Sequence, residues 1–156
     1  MRHKNTVLVA VVAASVAVIG MLGLSVFNPG SVQARANEKI VVHLSHYSDA
    51  PHSALMAVHF AEYLQEHGSD VTLMLDVEGV KLADQRQAQS SDSGMNAQIS
   101  EHYNAFVKAG GKVLVCPHCA QVAGLTAQNL RPGAHLAKDI GELANVVLAA
   151  DKTLDY

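Results

Sequence analysis

The sequence predicts an α/β domain built on a mostly parallel sheet with helices on both faces. Three observations carry that reading. Short β-branched or apolar runs recur at 39–45, 71–75 and 112–115. Between them lie longer stretches whose apolar residues repeat at helical spacing. Glycines and prolines punctuate the joins, and strand–helix alternation of this kind builds parallel sheets.

The chain opens on MRHKNT, with Arg2 and Lys4 and no acid, before an apolar run from Val7 to Phe27. That run is long enough to cross a bilayer, which takes about 20 residues. Basic residues ahead of it favour export of the chain on its far side. Asn28-Pro29-Gly30 breaks the run, and Ala34-Arg35-Ala36 has the small-x-small form of a signal peptidase site. Residues 1–36 are therefore expected to be a signal peptide or a transmembrane anchor with its linker. The domain proper is expected at 38–156, in the periplasm or another extracytoplasmic space, either anchored in the inner membrane or secreted after cleavage.

All 14 acidic residues fall in that domain with only eight of the 11 basic ones, a formal charge of −6. An acidic domain with no tryptophan and no basic cluster argues against nucleic acid as a partner. Its length suits one core.

KIVVHLS at 39–45 reads as the first strand, with His43 packed in it. Pro51-His52-Ser53 reads as the entry to a helix. Met56, Phe60, Tyr63 and Leu64 recur at helical spacing as that helix's inward face, and Gly68 closes it. VTLML at 71–75 is the second strand. Asp76–Asp92 reads as a polar loop region with room for a short helical turn, its Gly79 supplying an unusual backbone angle. Within it Asp76 and Glu78 could pair for acid–base work, although a solvated turn is preferred. Asn96–Ala109 is a second helix with Ile99, Tyr103, Phe106 and Val107 inward, stopped by Gly110-Gly111. Lys112–Val115 is the third strand. A brief strand at 134–136, a helix at 140–149 and a last short strand at 152–154 complete the pattern. No G-x-G-x-x-G follows a strand, so neither nucleotide nor flavin is expected.

Chemistry concentrates where the third strand ends. Cys116-Pro117-His118-Cys119 holds the only two cysteines of the chain. At the mouth of a helix, terminal amides and a protonated His118 favour a thiolate. The expected roles are Cys116 as the attacking thiol, Cys119 as the more covered resolving thiol, and His118 as their activator. A static disulfide or two inert thiols is the plain alternative. The same tetrapeptide occurs in thioredoxin-fold oxidases, but after an early strand rather than a third one. Nine histidines suggest a different use. Cys116 and Cys119 with His46 and His52 would make a tetrahedral set suited to copper or zinc. A surface histidine, however, is usually only solvated.

LDVEGVKL at 75–82, VLVCPHCAQVAGL at 113–125 and the terminal ADKTLDY together resemble the DsrE/DsrF-like family. The resemblance spans about Glu38 to Tyr156. It implies a flavodoxin-like three-layer sandwich, assembly into trimers or hexamers, and a part in sulfur metabolism with a persulfide on a cysteine, here Cys116. It also implies a sulfur donor or acceptor protein as partner. The export segment and the many histidines depart from the cytoplasmic sulfur-relay pattern. A thiolate–histidine metal module and a non-catalytic oligomeric interaction domain are the alternative functions, and whether the chain is an enzyme is left open.

Overall fold

The computed structural model describes residues 37–87 and 95–156. The expected span Val7–Phe27 and the cleavage motif lie outside them. Among the described residues no helix is long and apolar enough to cross a membrane.

Five strands form one sheet: β1 (Lys39–Leu44), β2 (Asp70–Leu75), β3 (Lys112–Val115), β4 (Ala134–Leu136) and β5 (Lys152–Asp155). Their order is β4-β3-β2-β1-β5, and every neighbouring pair is parallel. The helices are α1 (Pro51–Glu66), α2 (Met95–Lys108), the single-turn-and-a-half α3 (Pro117–Val122) and α4 (Ile140–Leu148). The fold is the expected α/β sandwich of three layers around a parallel sheet.

Side-chain alternation divides the strands between two cores. On one face Ile40, Val42, Leu44, Val71, Leu73, Leu75, Val113 and Val115 meet α1 and α2. On the other, Val41, Met74, Leu114 and Cys116 meet Ala137 and Leu143, with Val146 of α4 packed against them. Strands buried on both sides read as continuous apolar runs, which is why they are visible in the sequence. Tyr103 and Phe106 are fully buried as predicted, and burial of side chains this size contributes roughly 2–3 kcal/mol each.

Three expectations are corrected. The inward face of α1 is Ala54, Ala57, Val58 and Ala61, whereas Phe60 and Tyr63 are 42% and 54% exposed. Small side chains at i, i+3, i+4 and i+7 let the helix lie close to the sheet and to α2, and the bulky residues fall to its flank. The segment after β2 holds the short helical turn for which the sequence left room, but it is not the polar segment expected. A 3-10 turn over Gly79–Ala83 buries Val80, Leu82 and Ala83 in the main core.

The third correction concerns backbone angles in that segment. Gly79 has no positive φ; Val77 does, at 43°. Gly79 is required for another reason, because a Cβ there would overlap the carbonyl of Leu44. Its N–H and that of Glu78 both donate to the Ser45 carbonyl at 3.2 Å, tying this turn to the end of β1.

Candidate thiol site

In an all-parallel sheet every strand ends at one edge, and sites form beyond it. Parity and register decide what faces α4 there. His43 on β1 pairs with Met74 and with Asp155 on β5. One step past the ends of β2 and β3 come Asp76 and Cys116, and the Cys116 N–H donates to the Leu75 carbonyl at 2.8 Å. His43, Asp76, Asp155 and Cys116 therefore share one face at one edge.

Cys116 is extended, with φ −60° and ψ 121°, and Pro117 starts α3 directly after it. Its side chain makes no capping hydrogen bond to the helix amides. The thiol instead turns into the α4-side core and is 5% exposed. Cys119 lies one turn later, half-buried and touching both cores. The accessibility of the two is thus opposite to expectation. Leu114 precedes Cys116 by two residues and faces the same core, so strand parity carries Cys116 inward.

Both thiols are free, and Cys119 packs against the core that holds Cys116. Burial pushes the Cys119 thiol up, helped by the neighbouring Cys116 thiol and by the charge of Asp76. The backbone of Val77 opposes the rise through a hydrogen bond to Cys119. Val77 is β-branched and left-handed, a combination that costs energy and that gathers at functional sites. Val77 is 64% exposed and Val122, three residues after Cys119, is 79% exposed.

His43 is more than the packed strand residue expected. It stands between two carboxylates, with Nδ1 2.8 Å from Asp155 Oδ1 and Nε2 2.9 Å from Asp76 Oδ1. Burial lowers its pKa, but the two carboxylates outweigh that and the net shift is upward. The sequence holds a usable signal for this. An acid directly after β2 and a cysteine directly after β3 fall on the parity of a histidine one residue from the end of β1.

The other predicted residues are dispersed. His46 bonds Asp49 Oδ2 at 2.7 Å, and that bond is the first cause holding the Asp49 carboxyl below its usual range, with Glu78 also contributing. Glu78 pairs in turn with Lys81. The carboxylates of Asp76 and Glu78 thus take different partners. His52 sits exposed in the first turn of α1, and His118 is exposed on α3. Among the described residues no three His, Cys, Asp or Glu side chains are grouped so as to hold a metal ion. A groove of about 740 Å³ lies at the opposite edge of the sheet between Lys39, Asp70, Lys112, Glu142 and Asn145. It holds no thiol, and the chemistry points to the Cys116–Cys119 corner instead.

The family model described as the DsrE/DsrF-like family matches residues 38–156. No curated protein matches the chain. Among solved structures, the crystal structure of the ychN protein from E. coli is 21% identical, with a TM-score of 0.61, covering 77% of this chain and 99% of its own. A protein of unknown function from Methanobacterium thermoautotrophicum is 13% identical, with a TM-score of 0.58, covering 77% of this chain and 100% of its own. At these identities the likeness is one of fold.

Proposed function

Because the chain belongs to the DsrE/DsrF-like family, and membership points to a sulfur-related function, we propose that it handles sulfur through Cys116 and Cys119, as a persulfide carrier or in thiol–disulfide exchange. The observation that supports this most is two free, adjacent thiols at the carboxyl edge, one half-open to solvent and one buried behind it.

The exposed partner sets the order of events. An external sulfur meets Cys119 first, because Cys116 lies 5% exposed behind it. The Cys119 thiolate attacks the outer sulfur of a donor persulfide. The donor S–S bond breaks, the donor leaves as its thiolate, and Cys119 carries the persulfide. Cys116 then takes the outer sulfur by the same exchange, leaving Cys119 as thiolate. Alternatively it attacks the inner sulfur, which releases hydrosulfide and leaves a Cys116–Cys119 disulfide for an external dithiol to reduce. The raised pKa of Cys119 keeps the resting thiol protonated until a partner approaches.

The domain acts outside the cytoplasm behind the Val7–Phe27 segment, and it self-associates. Self-association is supported by the exposed Phe60 and Tyr63, which with Met56 and His59 line a hollow of about 350 Å³ on α1.

The test is the intact mass of protein purified anaerobically, before and after reductant. A species heavier by one sulfur atom that reductant removes supports the carrier reading. A loss of two hydrogens, regained on reduction, supports exchange. A retained metal adduct would instead favour the metal module, and unmodified thiols that no persulfide donor loads would favour a purely structural domain.

A further inference from the structure

We propose that His43, clamped between Asp155 and Asp76, is the positioning residue of the thiol site, its positive charge offsetting that of Asp76 and thereby setting how readily Cys119 becomes a thiolate. This rests on reading Cys119 as the reactive thiol.

Both ring nitrogens of His43 face carboxylate oxygens, at 2.8 and 2.9 Å. Only the imidazolium has a proton for each; a neutral ring leaves one lone pair against a negative oxygen. The inner contact is secluded. His43 Nε2 and Asp76 Oδ1 are both buried and lie 2.9 Å apart, and neither makes a hydrogen bond of regular geometry among the described residues, so charge rather than a directed bond holds them together. The outer contact differs, since the Asp155 side chain is 74% exposed and serves to hold the ring in place.

Asp76 looks in two directions. It faces His43 on one side; on the other it directly follows Leu75, whose carbonyl accepts from the Cys116 N–H, and Cys119 packs against the core that holds Cys116. A carboxylate beside a thiol disfavours the thiolate, whereas a cation on that carboxylate relieves the repulsion. The groups that bear on His43 are Asp155 from β5 and Asp76 from the end of β2, with the two thiols beyond Asp76. Between them the carboxylates keep the imidazolium populated to higher pH than in an ordinary histidine. Loss of that proton leaves Asp76 unbalanced and Cys119 harder to ionise.

The experiment is iodoacetamide alkylation of Cys119 across pH, with peptide mapping, in reduced full-length protein. Wild type is expected to show an inflection as His43 deprotonates, besides that of the thiol itself. His43→Gln removes the cation. The higher Cys119 pKa that follows lowers its thiolate fraction near neutral pH. Greater intrinsic nucleophilicity returns part of that, so the net slowing is about threefold. His43→Lys restores a fixed charge, and His43→Gln with Asp76→Asn removes the repulsion; both are expected to recover the rate and to lack the inflection. If His43→Gln fails to fold, Asp76→Asn alone carries the test, with faster alkylation and no inflection expected. A folded His43→Gln, or Asp76→Asn, that alkylates at the wild-type rate with the wild-type pH profile would overturn the proposal. Alkylation requires no sulfur donor, so that failure would leave the sulfur-loading result standing, and a failure to load sulfur would leave this one standing.

Discussion

His43 Nε2 lies 2.9 Å from Asp76 Oδ1, across the junction of β1 with the end of β2. In the proposed account this pair links the sheet's stability to the same proton that bears on the thiols.

Stability should therefore depend on pH through His43. Its folded pKa is raised above the ordinary value of 6.5. The contribution is fully present below that unfolded value and is lost as pH rises through the raised folded one. Denaturant midpoints should thus fall as pH climbs beyond about 6.5, and level off once the folded imidazolium has lost its proton. His43→Gln should flatten that part of the curve. An unchanged slope in the variant would place the titration on another group.

Val77 and Gly79 should respond in opposite senses to substitution. Gly79→Ala drives a methyl into the Leu44 carbonyl and should cost about 3 kcal/mol, as overpacking against backbone does. Val77→Gly relieves a left-handed β-branched residue worth about 1–2 kcal/mol. It adds unfolded-chain entropy of about 0.5–1 kcal/mol. With the side chain 64% exposed, little packing is lost, and the net change should be a gain of under about 1 kcal/mol. Urea titration of both variants checks the contrast.

These two positions also show where the sequence is legible. Sheet strands buried on both faces announce themselves as apolar runs, and Ile99, Tyr103 and Phe106 fall at the right spacing on α2. On α1 bulk is a misleading sign of the inward face, because the close approach to the sheet selects Ala54, Ala57 and Ala61. For Gly79 the need for glycine is visible but its cause is not. The cause is a contact with Leu44, distant in sequence, and no local pattern reports such contacts. The thiols stand out in the sequence as the chain's only cysteines. Their order of exposure does not, although the parity of Leu114 and Cys116 contains it. The role of His43 is hidden because one of its carboxylates comes from β5 and the other from the end of β2.

The flank of α1 carries the proposed self-association. Phe60→Glu with Tyr63→Glu places charge on an exposed apolar face and should leave the fold intact, with surface changes worth about 0.5 kcal/mol or less. Sedimentation equilibrium should show wild type as a multimer and the double variant shifted to monomer. Monomeric wild type would remove α1 as an interface.

The central claim is that sulfur enters at Cys119, and the most direct measurement is site-resolved loading. Reduced protein is incubated with a low-molecular-weight persulfide, quenched with iodoacetamide and mapped by peptide mass. Wild type should carry one added sulfur, first on Cys119 and later on Cys116 or replaced by a disulfide. Cys116→Ser should still load at Cys119, and Cys119→Ser should load slowly or not at all, because Cys116 is 5% exposed. Rapid loading of Cys119→Ser at Cys116, with Cys116→Ser inert, would reverse the order of the two thiols. No added sulfur on either cysteine would contradict the account outright.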